Sequence, residues 1–139
     1  MIRKDQALEI KTKHLEFILQ IINRMGNNSF LLKGWAITLN AAIIGLVIKD
    51  HVNYGWAIGL VSGYLFWLID SYFLSVERKY RSLYDAVREN TIKDLKFSLD
   101  VTNFKETKHS IFGCFVSLNL LMFYGTIAII NIGLKMIAN

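Results

Sequence analysis

Three stretches of this chain contain no Lys, Arg, Asp or Glu: residues 34–48, 51–69 and 110–134. The charged residues crowd into what lies between them. A bilayer hydrocarbon core of about 30 Å takes about 20 helical residues to cross. The third stretch is long enough unaided and the second nearly so. The first reaches that length by borrowing residues 28–33, where Lys33 is placed to snorkel to the interface. The pattern predicts three transmembrane helices, at about residues 28–48, 54–76 and 110–135.

Outside the spans the apolar positions recur at helical rather than strand spacing. Leu8, Leu15, Ile18, Ile22 and Met25 form one stripe on an N-terminal amphipathic helix over residues 1–27. Gly26 is expected to close that helix as a C-cap, and Ser29 to open the first membrane helix as an N-cap. Past the second span, Val76, Tyr80, Leu83, Tyr84 and Val87 continue a stripe with no Pro or Gly to break it. The second membrane helix is therefore expected to run on for three turns or more. Two apolar stripes on the same side of the membrane cover each other most simply as a helical stalk; the alternative is an N-terminal helix lying flat on the bilayer. Residues 77–109 thus read as a helical extension followed by a loop. Within it "KFSLDVTNF" alternates apolar and polar residues and is compatible with a strand, a frayed helix or a ligand-dependent loop.

Composition agrees with a membrane protein. The 139 residues are 53% hydrophobic and 19% charged, with no proline and a mean hydropathy of +0.35. The fold class expected is an all-α integral membrane protein. The N-terminus carries three acids in an amphipathic pattern, unlike a secretory signal peptide, so the first span is expected to be retained. Fourteen of the sixteen Lys and Arg fall in residues 1–33 and 76–108, against Lys49 and Lys135 on the opposite face. The positive-inside rule then places the N-terminus and residues 77–109 in the cytoplasm and the C-terminus outside. The net charge of +5 is mainly this topology signal, and nucleic acid is not an expected partner. Arg78, Lys79 and Arg81, just below the bilayer, suit contact with anionic lipid head groups. Cys114 lies in the third span, has no second cysteine to pair with, and reads as a structural thiol.

Polar residues inside the spans are the candidate functional ones. Asp70 stands in "GYLFWLIDSYFLSVERKY", roughly 9 Å below the cytoplasmic boundary at 1.5 Å per helical residue. An intramembrane acid costs on the order of 3 kcal/mol and takes a partner, a water-filled cavity or a proton. Lys33 enters from the same face on the first span, with Asn40 two turns deeper on its stripe. A Lys33–Asp70 pair, with Asn40 or Ser71 filling spare lone pairs, is one reading. An acidic ring at the mouth of an oligomeric pore is the other. Gly55, Gly59 and Gly63, each four residues apart, form a smooth face for close helix packing, within one chain or between copies in an oligomer.

Catalytic signals are absent. His14, His51 and His109 are isolated and divided between the two sides of the membrane, so they cannot share a metal. No phosphate-cradling loop, Cys/His cluster or nucleophile elbow is found, and neither an enzyme nor a bound cofactor is expected. Trp35, Trp56, Trp67 and Tyr72 read as interface and packing aromatics.

With the "KGW" and "FWLIDSYFL...ER...YRSLYD" texture, the cytoplasmic helix and membrane hairpin over residues 8–90 resemble small bacterial two-transmembrane effectors of phage-defence and conflict loci, the SLATT-like type. The third span departs from that pattern, and no sensor domain is recognisable. The resemblance implies an oligomeric, pore-forming or channel-like inner-membrane effector that disrupts membrane integrity when triggered. The trigger would arrive through residues 91–109 or a cytoplasmic protein encoded nearby. The alternative is a non-conducting anchor or scaffold that recruits a cytoplasmic partner through its stalk. A holin fits less well, because three-span holins place the N-terminus outside.

Overall fold

A computed structural model describes residues 4–50, 54–89, 98–102, 104 and 110–138. The helices in chain order are α1 (Lys4–Asp50), α2 (Gly55–Arg88), α3 (Ile111–Phe115) and α4 (Leu118–Ala138). Among the described residues there is no strand. Three of these helices, α1, α2 and α4, are long and apolar enough to cross a membrane. The chain is an all-α protein of membrane type, with an exterior to match: Phe30, Trp35, Ile48, Val61, Ile129 and Met136 are each more than half exposed, which lipid tolerates and water penalises.

Helix length separates a membrane part from a projecting part. At 1.5 Å per residue, the 47 residues of α1 reach about 70 Å and the 34 of α2 about 50 Å, whereas α4 with its 21 residues matches a core of about 30 Å. Both α1 and α2 therefore extend well past the bilayer at one end.

The expected break at Gly26 does not occur, because α1 continues unbroken through Gly26, Asn27, Asn28 and Ser29. A mid-helix Gly costs about 1 kcal/mol relative to Ala, but an uninterrupted seam outweighs it. Ile18, Ile22, Met25, Leu32, Ala36, Ile43 and Val47 are all buried, and His14, Met25, Ala36 and Val47 repeat at eleven-residue intervals. That repeat, about 3.67 residues per turn, keeps the seam along one face of α1. A Cβ at Gly26 would meet Glu77 Oε2 of α2 only at ordinary contact distance, 3.9 Å, so the position has room for a side chain.

Beyond the bilayer the two stripes pack together. Ile18, Ile22 and Leu83 form a buried cluster with Tyr80, Tyr84 and Val87 around it. This is the stalk geometry, in which the N-terminal helix stands against α2. Leu8, expected on the stripe, is 69% exposed. It lies beyond the end of α2, whose last turn is held by Lys11 Nζ donating to Arg88 O at 2.9 Å.

The loop after α2 adds a strap that the alternating pattern did not resolve. Residues 98–102 and 104 are neither helix nor strand, and Val101 and Phe104 pack onto the stalk cluster. His14 Nε2 lies 3.0 Å from Ser98 O. Within the strap Thr102 N–H donates to Asp100 Oδ1 at 2.9 Å, which holds the Asp100 carboxyl below the usual range. His51 and His109 lie outside the described residues, as do residues 90–97, 103 and 105–109.

The third span is also not one helix. It breaks at Val116–Ser117 into α3 and α4, and the carbonyl of Phe115 accepts a bond from Trp67 Nε1 at 3.0 Å. An indole N–H thus satisfies a backbone group that the break releases, as a low-dielectric setting demands. Phe115 stacks on Trp67 with centroids 4.1 Å apart, and Tyr124 stacks near it at 5.9 Å.

Candidate functional site: an intramembrane charge cluster and its polar neighbours

Asp70 is fully buried, and three helices converge on it. Lys33 Nζ of α1 donates to Asp70 Oδ2 at 2.6 Å, Ser29 Oγ donates to Oδ1 at 2.5 Å, and Tyr124 Oη of α4 donates to Oδ2 at 3.0 Å. Lys33 Nζ also donates to Ser29 Oγ at 2.7 Å and sits 5.9 Å from the Phe123 ring centroid. The side chain of Lys33 keeps 20% exposure against none for Asp70, so the lysine bridges the buried acid to the exterior. A carboxylate so placed has its charge neutralised and both oxygens occupied, the condition under which a buried ion is tolerated.

The Lys33–Asp70 pair is the sequence expectation realised, but its helpers differ. Neither the Asn40 nor the Ser71 side chain hydrogen-bonds the Asp70 carboxylate. Ser71 Oγ donates to Leu68 O at 2.7 Å, and Asn40 Nδ2 donates to Ala36 O at 3.0 Å. Their places are taken by Ser29, which the sequence assigned to a helix cap, and by Tyr124, which it passed over. The signal for Tyr124 was present: Leu120, Tyr124, Ile127 and Asn131 form an inward stripe in the third span carrying two polar groups seven residues apart.

Deeper in the bundle Asn131, likewise missed, donates from Nδ2 to Asn40 Oδ1 at 2.8 Å and to Ile127 O at 2.8 Å. Its own Oδ1 is buried without a hydrogen-bond partner. That oxygen lies 1.9 Å from where a Gly59 Cβ would stand, so it rests on the bare Cα of α2, a position where a weak Cα–H contact is the available compensation.

The glycine face is used within the chain. A Cβ on Gly55 would lie 2.0 Å from Val47 Cγ2 of α1, and one on Gly63 would lie 3.2 Å from Ile127 Cγ2 of α4. Gly55, Gly59 and Gly63 are all buried. Of the two readings of this face, packing within one chain is the one the structure shows, with α1 and α4 filling the groove.

At the C-terminal end of α2, Arg81 pairs with Glu77 at 2.7 Å, while the Arg78 and Lys79 side chains lie within electrostatic reach of the buried Cys114 thiol. At the other end Lys135 Nζ sits 4.7 Å over the Trp56 ring, an interfacial cation–π pair. Among the described residues no group of His, Cys, Asp and Glu is placed to hold a metal ion. Compared with known proteins, the chain matches no family model, no curated protein and no solved structure.

Proposed function

We propose that this chain is an oligomeric effector of the bacterial inner membrane, pore-forming or channel-like and acting in anti-phage defence, with its stalk in the cytoplasm and its C-terminus outside. The observation that carries the reading is the passage of α1 and α2 from stalk to bundle without a break, with the Lys33–Asp70–Tyr124 cluster close below the level at which they emerge. A partner or ligand that changes the stalk pulls on the same two helices that Asp70 ties to α4. Orientation rests on the excess of Lys and Arg at the stalk end, and the effector class on the resemblance to SLATT-like proteins. Because the glycine face and Asp70 are both occupied within one chain, a conducting path forms between copies, lined by surfaces now exposed.

The same closure favours a second reading, a non-conducting anchor that presents its stalk to a cytoplasmic protein: neither the acid nor the groove is available to line a shared pore. Inducing the full chain in bacterial cells while following a potential-sensitive dye, with ion flux from proteoliposomes beside it, separates the two. The effector depolarises cells and passes ions. An intact potential and tight liposomes, at a membrane level matching a known channel, leave the anchor.

A further inference from the structure

Helix α1 carries a second stripe, exposed along its length. Leu8, Leu19, Phe30 and Ala41 recur at eleven-residue intervals, the same repeat as the buried seam of His14, Met25, Ala36 and Val47. A shared repeat holds the two stripes at a fixed offset, and a lead of six residues at about 98° each sets the second roughly 130° around the helix from the first. Leu8 is 69% exposed, Leu19 45% and Phe30 75%. Gly34 and Gly45 follow Phe30 and Ala41 by one turn, and a Cβ on either would meet nothing within 4 Å. Ile37 and Ile48 continue the stripe and are more than half exposed. At spacings of three and four its positions carry no charge as far as Ile48, while Asp5, Glu9, Lys13, Glu16 and Arg24 fall elsewhere on the helix. Lipid accounts for apolar exposure within a span, but Leu8 and Leu19 precede the span predicted to begin at residue 28 by about 30 Å and about 13 Å of helix.

We infer that this stripe is where two copies of the chain meet, as a parallel pair of α1 helices about a two-fold axis. The inference rests on the oligomer in the reading above and names its contact. Lipid would cover the stripe only in its bilayer half, and a cytoplasmic protein only in its stalk half. A second α1, inserted in the same direction, presents stalk and span at the same levels and covers both. At roughly 200 Å² for each fully open side chain, Leu8, Leu19, Phe30, Ile37 and Ile48 expose about 600 Å² per copy, and with the backbone bared at Gly34 and Gly45 this approaches the about 800 Å² per partner of a standard interface. The small residues let the bilayer halves approach closely, with Phe30 of one copy lying over Gly34 of the other. Asn23, the one amide on the stripe, suits pairing with its own copy, which fixes the register of parallel helices.

Disulfide trapping with single cysteines tests the pairing, in the full chain on a Cys114→Ser background, in membranes of expressing cells and with copper phenanthroline as oxidant. Across a two-fold axis a residue meets its own copy. Leu19→Cys, Phe30→Cys and Ala41→Cys are therefore each expected to give a covalent dimer of twice the chain mass, and Gln20→Cys and Leu39→Cys, turned away from the stripe, to give little. Gly34→Leu, which has room within its own chain, is expected to abolish the Leu19→Cys dimer while keeping the folded membrane yield of its parent. Absence of the dimer, or equal yields from cysteines on and off the stripe, would overturn the inference. So would a Leu19→Cys dimer that survives Gly34→Leu, or an adduct of another mass, which would assign the stripe to a different protein. Ion flux without a stripe-specific dimer would overturn this interface alone; a stripe-specific dimer in liposomes that pass no ions would overturn the effector reading alone.

Discussion

At the scale of single residues, the balance around Asp70 decides what a substitution does. Its carboxylate is neutralised by one lysine and hydrogen-bonded by two hydroxyls. Removing one partner leaves an uncompensated ion in a low-dielectric site, which costs about 3–5 kcal/mol, whereas removing both charges avoids that penalty. Asp70→Asn and Lys33→Gln are therefore each expected to lower folded membrane yield and thermal stability in detergent, and the double variant to recover most of the loss. Tyr124→Phe removes only a hydroxyl donor, and a loss of about 1 kcal/mol is expected. A double variant as damaged as the two single losses added together would show that the ions do not act as a pair. The acid and the lysine were legible in the sequence because charges are rare in spans and each implies a partner. Ser29 and Tyr124 were not, because a hydroxyl in a helix is ambiguous until its facing helix is known. Ser29 in particular looked like a cap beside a glycine.

At the scale of elements, small residues mean different things in different places. A methyl group added at Gly34 of α1 would meet nothing within 4 Å, while one at Gly59 of α2 would meet Asn131 Oδ1 at 1.9 Å. Gly34→Ala is expected to leave the fold intact and, by helix propensity, to stabilise it by up to about 1 kcal/mol. Gly59→Ala pushes α4 off α2 and is expected to lower the melting temperature, with Asn131→Ala in the same chain restoring part of it. Equal melting temperatures for the two glycine variants would contradict the packing of α4 into the groove. The extension of α2 was readable from its unbroken stripe. The continuity of α1 was not, because a Gly-Asn-Asn-Ser run is a strong local stop signal, overridden here by tertiary packing along a seam that no local window contains. The kink at Val116–Ser117 escaped for the opposite reason. Nothing in "CFVSLN" interrupts an apolar helix, and the break is made good by Trp67, forty-eight positions earlier in the chain.

At the scale of the whole molecule, two continuous helices join a bundle of membrane-spanning type to a projecting stalk. The number of spans and the class of fold follow from the charge-free stretches. The pairing of α1 with α2 beyond the bilayer follows from Ile18 and Leu83, which are 0% and 2% exposed in one cluster. Cysteines in place of Lys11 and Arg88, at the accessible end of the same pairing where Lys11 Nζ lies 2.9 Å from Arg88 O, on a Cys114→Ser background, test that union and its sidedness in one cross-linking measurement on intact cells. A membrane-permeant bifunctional thiol reagent is expected to join the two cysteines within a single chain, and an impermeant one of the same span to leave them unjoined. Failure of the permeant reagent to form the link, or linkage by the impermeant one from outside, would contradict the cytoplasmic stalk.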